Sequence, residues 1–201
     1  MTTHCLNKCI NFKCNNYDFE NSLVNSQKTI SIPYILYESI KGNYFIGETG
    51  VLNASSNGTK MVAIANPNDS NIILHVNVIT ISNFGTSKNI IANIYLGSDF
   101  PKTSEITISQ LVSPSNIAIY PEPCPKGQIQ FTSVSLNEKP LYGSQIFTRI
   151  APPSSTLVDE NDGKLILAPG QKLIVYFNAP LLEDVAVAFG WFEEPIHYFD
   201  C

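Results

Sequence analysis

The stretch Val185-Ala186-Val187-Ala188-Phe189-Gly190-Trp191-Phe192 decides the fold. Large residues stand at 185, 187, 189 and 191, with small ones between them. An alternation of this kind is a strand signature, because successive side chains point to opposite faces. The bulky side belongs in a core, and the small side leaves room for something to pack closely against it. Lys172 to Asn178 is a second strand. Lys164 to Ala168 precedes it across Pro169-Gly170, and the two read as a hairpin. Asp162-Gly163 reads as a tight turn. Trp191, Phe189, Val187, Val175, Phe177 and Val76 are the expected core.

Further outward the β pattern persists. Met61 to Asn66, Ile72 to Asn83, Asn89 to Gly97, Gln128 to Ser135 and Ser144 to Ile150 read as strands. Turn clusters such as Pro67-Asn68-Asp69-Ser70-Asn71 separate them. In Ile72 to Asn83 the apolar register slips between Val78 and Ile79, as at a β-bulge. Residues 98 to 127 carry Pro101, Pro114, Pro121, Pro123 and Pro125. They read as a crossing loop, with at most one short strand near Ile106 to Val112. Ile30 to Phe45 is ambiguous. Pro33 and Lys41-Gly42 would bound a short helix, but the alternation of Ile30 and Ile32 favours a strand followed by one helical turn. Eight or so short strands with almost no helical period predict an all-β, jelly-roll-like β-sandwich with a Cys-bearing N-terminal extension. The expected division is a tail over 1–27, the sandwich over 28–196 and a short C-terminal tail over 197–201.

Composition narrows the function. Charged residues are 14% of the 201 and the formal net charge is −5. Arg149 is the sole arginine, and no Lys/Arg stripe exists to displace counterions, so nucleic-acid binding is excluded. No run approaches the ~18 apolar residues of a membrane helix. The polar start is not a secretory signal peptide. An extracellular or spore-surface location is then reached by lysis or sporulation. The sequons at Asn53, Asn57 and Asn68 read as chance in an Asn-rich chain.

No catalytic pattern emerges. The histidines are His4, His75 and His197, and His75 sits in a strand opposite Leu74 and Val76. Glu193 and Glu194 are adjacent, so on a strand they face opposite ways and cannot flank one glycosidic bond. Asp159-Glu160-Asn161-Asp162 reads as a plain acidic turn, with calcium as the alternative. No enzyme activity and no cofactor are expected.

The cysteines are the unusual feature: Cys5, Cys9, Cys14, Cys124 and Cys201. Five leave at least one without an intrachain partner. Three lie near the start, one is the last residue, and Cys124 sits in Pro121-Glu122-Pro123-Cys124-Pro125. None falls in an expected strand. His4, Cys5, Cys9 and Cys14 would serve as metal ligands, but Cys-x3-Cys-x4-Cys is not the common Cys-x2-Cys knuckle. Incidental reduced thiols, or intrachain staples, are further readings. The placement favours cross-links between subunits. A tail of 27 residues extends to roughly 90 Å, enough to reach a neighbour and add a strand to its sheet edge. The runner-up function is a carbohydrate- or receptor-binding module of a phage or cell surface, with Tyr95, Tyr120 and Tyr142 as stacking rings.

Several stretches carry a resemblance. They are Tyr37-Glu38-Ser39 through Gly42, Tyr44-Phe45-Ile46-Gly47-Glu48-Thr49, Ile81-Ser82-Asn83-Phe84, Ile150-Ala151-Pro152-Pro153 and Val187-Ala188-Phe189-Gly190-Trp191-Phe192-Glu193-Glu194-Pro195. Together they resemble an uncharacterised family of spore-forming Firmicutes, which implies a bacterial source and no catalytic residues. In layout alone, the chain also resembles endospore appendage subunits, which are jelly rolls with a Cys-bearing connector. That likeness implies a self-assembling subunit of a fibre or coat. Cys5, Cys9 and Cys14 would be the connector thiols, with Cys124 and Cys201 as acceptors on the body. Its partner would be other copies of itself, with a filament as the product.

Overall fold

The computed structural model describes residues 31–54, 59–102, 104–135, 138–177 and 183–196. From Ile32 onward the chain forms one compact unit. Its described residues form a helix, α1 (Tyr34–Lys41), and eleven strands. The first four are β1 (Tyr44–Glu48), β2 (Thr59–Ala65), β3 (Ile72–Asn83) and β4 (Ile90–Leu96). An excursion then carries β5 (Thr107–Ile108), β6 (Val112–Pro114) and β7 (Gln128–Val134). The chain ends with β8 (Ser144–Ala151), β9 (Ser155–Leu167), β10 (Lys172–Phe177) and β11 (Val185–Pro195).

One sheet runs β6-β1-β11-β3-β9 and the other β5-β7-β2-β10-β4-β8. Every pairing is antiparallel. Without β5, β6 and β7, the orders are β1-β11-β3-β9 and β2-β10-β4-β8, and consecutive strands alternate between sheets at both ends of the chain. That is the double Greek key of a jelly roll, as expected from the sequence. The excursion between β4 and β8 lengthens both sheets on the β1/β2 side.

The core lies between the sheets. Trp191, Phe189, Val187, Val175, Phe177 and Val76 are all within it and essentially solvent-free. A smaller cluster on the outer side of the second sheet joins Met61, Ile174 and Tyr176 to Phe100 from the excursion. Two buried asparagines hold the corners where the chain changes sheet. Asn66 Nδ2 donates to the carbonyls of Ile72 and Leu167, both at 2.9 Å. Asn83 Nδ2 donates to those of Lys88 (2.9 Å) and Ala151 (3.1 Å). Each satisfies buried carbonyls that the ladders leave over. At the open side, Arg149 grips Asp159 with two bonds, 2.9 and 3.2 Å, linking β8 to β9 across the two sheets.

Five readings need correction. First, Asp162-Gly163 does not end a hairpin. Both residues have positive φ (51° and 73°), as the sequence signals, but they form a bulge inside the continuous strand β9. Leu165 pairs with Val76 and Glu160 with Val78, so four residues of β9 oppose Asn77 alone. The acidic run 159–162 is therefore strand and bulge rather than turn. Second, Pro169-Gly170 joins β9 to a strand of the other sheet, so it is a corner, not a hairpin. Local turn chemistry is the same in both cases, which is why the sequence does not separate them. Third, the bulge of β3 is at Asn77, the residue skipped between the Gly190 and Trp191 partners, and not between Val78 and Ile79. Fourth, Tyr34–Lys41 is a helix, capped by Pro33 and stopped by Gly42 at φ 84°. Fifth, the crossing loop holds two short strands, β5 and β6, in place of one.

Candidate functional site

Cys5, Cys9, Cys14, Cys201, His4 and His197 lie outside the described residues. Cys124 is the one cysteine within them. It is exposed, and its nearest polar partner is the carbonyl of Glu122, 3.9 Å from Sγ. A disulfide between Cys124 and its own chain would therefore have to use one of the other four thiols.

The loop that carries Cys124 is held at both ends. At its start, Ser115 N–H donates to the Tyr44 carbonyl at 2.9 Å, and the Ser39 and Ser115 hydroxyls meet at 2.8 Å. Asn116 Nδ2 reaches the Ile40 carbonyl at 3.2 Å, which ties the loop to α1. At its end, the Glu193 carboxylate is the anchor. It accepts the N–H groups of Lys126 (3.0 Å) and Gly127 (2.8 Å) and the indole Nε1–H of Trp191 (3.0 Å). Three donors converging on one buried carboxylate compensate its lost hydration. Gly127 fits only as glycine, since a Cβ there would lie 2.6 Å from Leu74 Cδ1 and 2.8 Å from Trp191 Nε1. The Glu193–Glu194 pair faces opposite ways, as strand geometry requires. The sequence reading saw a polar strand end and missed the anchor; the adjacent Trp191 two residues earlier was the available signal.

Glu194 points outward and fastens α1. The Tyr34 hydroxyl donates to its Oε1, and His75 Nε2 lies 3.2 Å from its Oε2. His75 stacks on Phe192 at 4.4 Å, and Tyr34 meets the same ring edge-on at 5.7 Å. The hydrogen bond to Glu194 raises the Tyr34 hydroxyl well above the usual phenol range, with desolvation and the carboxylate charges adding to it. Burial likewise raises Tyr44, partly offset by the bond from Asn77. His75 sits as the sequence placed it, half-buried on the face away from the core.

The small side of β11 faces outward. At Gly190 the Tyr44 hydroxyl does approach closely. Beyond that point the face is an open trough of about 530 Å³, floored by Ala188 and Gly190 and walled by Ile46, Leu111 and Val78. The small face is thus closely covered at Gly190 and buried at Ala186, and open at Ala188 between them.

The three tyrosines are not brought together as a stacking platform. Tyr95 is half-buried in β4, edge-on to Tyr176 and bonded to Gln145. Tyr120 is 96% exposed in the Cys124 loop, and Tyr142 is 76% exposed before β8. Among the described residues no ring contact joins any two of them. Nor do any three His, Cys, Asp or Glu side chains gather there as metal ligands. No helix there is long and apolar enough to cross a membrane.

The chain belongs to a family of unknown function, DUF6143, whose model matches residues 15–198. No curated protein and no solved structure matches it.

Proposed function

We propose, for this member of a family without an assigned role, a self-assembling structural subunit of a disulfide-linked fibre or coat on a bacterial spore or cell surface. The observation that carries the reading is Cys124: an exposed thiol on a loop clamped at both ends, with no second cysteine in the described body. A clamped loop presents the sulfur at a fixed position, which suits it to receive a thiol from a neighbour. Cys5, Cys9 and Cys14 precede the body on a segment long enough to span one sandwich, and Cys201 ends the chain. In the step, two thiols join as a disulfide, losing two protons and passing two electrons to a small-molecule disulfide, which leaves as two thiols. Such a bond persists once the protein is outside the reducing cytosol. The weakly charged surface adds little repulsion between packed copies.

The test is oxidation of the full chain with oxidised glutathione, read on gels with and without reductant and by electron microscopy. The expected result is a ladder of multimers that collapses on reduction and is lost when Cys5, Cys9 and Cys14 become serine. A chain that stays monomeric under oxidation, and a triple variant that cross-links as well as wild type, are the results against it. In that case a glycan array becomes the next measurement, with Tyr120→Ala as the variant.

A further inference from the structure

A helix lying on a sandwich normally turns an apolar stripe to the sheet and a polar face to water. In α1 the order is reversed. Its one fully buried side chain is Glu38, held by Asn43 Nδ2 at 2.7 Å and Lys41 Nζ at 3.4 Å. Leu36, Tyr37 and Ile40 face outward, each open by 44–54%. The helix packs on the outer side of β1 and β11. The open trough lies on the outer side of the same two strands, with Ile46 48% and Leu111 54% exposed on its wall. One sheet face thus carries a convex apolar ridge and a concave apolar groove side by side, and among the described residues neither is covered.

We infer that this face is an interface between two copies, with the α1 ridge of each copy seated in the other's trough. Resting on the self-assembly reading, it names the non-covalent contact that precedes any cross-link. A ridge and a groove on one face are self-complementary about a two-fold axis, since each then meets the other twice. The area also fits. Tyr34, Leu36, Tyr37, Ile40, Ile46 and Leu111 are about half exposed, which for side chains of this size leaves on the order of 600 Å² open per copy. A specific interface buries about 800 Å² per partner, with a polar rim supplying the remainder. The small residues of β11 gain a purpose, because Ala188 and Gly190 keep the groove deep enough to admit a ridge.

The experiment is sedimentation equilibrium of the full chain in reductant, so that disulfides play no part. Wild type is expected to dimerise, and Ile40→Lys and Leu111→Glu are each expected to weaken the dimer at least tenfold with unchanged circular dichroism. Mixing the two single variants should restore association, because one lysine-to-glutamate pair and one native contact then form. Ile166→Lys, on an exposed site of β9, should change nothing. A monomeric wild type overturns the inference, and so do single variants that dimerise like wild type. If oxidation still builds multimers in that case, the structural-subunit reading survives and only this interface falls. If the dimer forms but oxidation links nothing, the reverse holds.

Discussion

Replacing Glu193 with alanine tests whether the anchor of the Cys124 loop is what holds it. The substitution removes the acceptor shared by Lys126, Gly127 and Trp191. The Gly127 N–H and the Trp191 indole N–H are buried, and each loses its partner. An orphaned buried donor costs about 1–3 kcal/mol, so the two together predict a loss of about 2–6 kcal/mol. That is a large part of the roughly 5–15 kcal/mol that holds a domain folded. Glu193→Gln should cost less, about 1.5–3 kcal/mol, because the amide oxygen keeps some donors while its NH₂ faces the Lys126 N–H. Urea titration followed by Trp191 fluorescence measures both. In a chain whose other four cysteines are serine, Cys124 should also label faster with a maleimide in the alanine variant. A cost below about 1 kcal/mol for alanine, or a larger cost for glutamine than for alanine, would refute the anchoring argument.

Two further outcomes follow from the same geometry. Gly127→Ala places a methyl group 2.6 Å from Leu74 Cδ1 in a filled core and should cost about 1–3 kcal/mol in the same titration. Tyr44 and Tyr176 hold their protons above the ordinary phenol range, in both cases chiefly through burial. Their contribution is complete below about pH 10, where the unfolded phenols ionise, and is lost as pH rises towards the folded values. In that window the unfolded chain binds fewer protons, so stability should fall by up to about 1.4 kcal/mol per pH unit for each tyrosine. Tyr176→Phe should give a shallower fall.

The sandwich was legible because its information is local and periodic. Alternation through Val187, Phe189 and Trp191 requires a strand with one face in a core, and its bulky side is where the core lies. Which sheet a strand joins was not legible, since Pro169-Gly170 turns the chain in the same way for a hairpin and for a corner. The positive φ at Asp162 and Gly163 was readable, but a bulge and a turn share it, and only pairing with Asn77 decides between them. α1 was obscured by its own inversion. With Glu38 inward and Leu36 and Ile40 outward, no apolar stripe marks a face buried in the fold. The Glu193 anchor depends on Gly127 and Lys126, 66 and 67 residues away, a separation that no local pattern reports.

The long outer strand β9 has a consequence for the proposed fibre or coat. An edge strand of 13 residues, paired to β3 on one side and open on the other, is a standing invitation to sheet growth from chain to chain. Here Glu160, Asp162 and Lys164 set exposed charges along it, and the bulge at Asp162-Gly163 breaks its straight run. An incoming strand would meet a kinked, charged border in place of a flat ladder. On the proposed assembly, copies would meet through faces and covalent links and not along this edge, each subunit keeping its own pair of sheets. A fibre of this chain should lack the sharp axial 4.7–4.8 Å repeat of stacked identical strands and should not bind amyloid dyes.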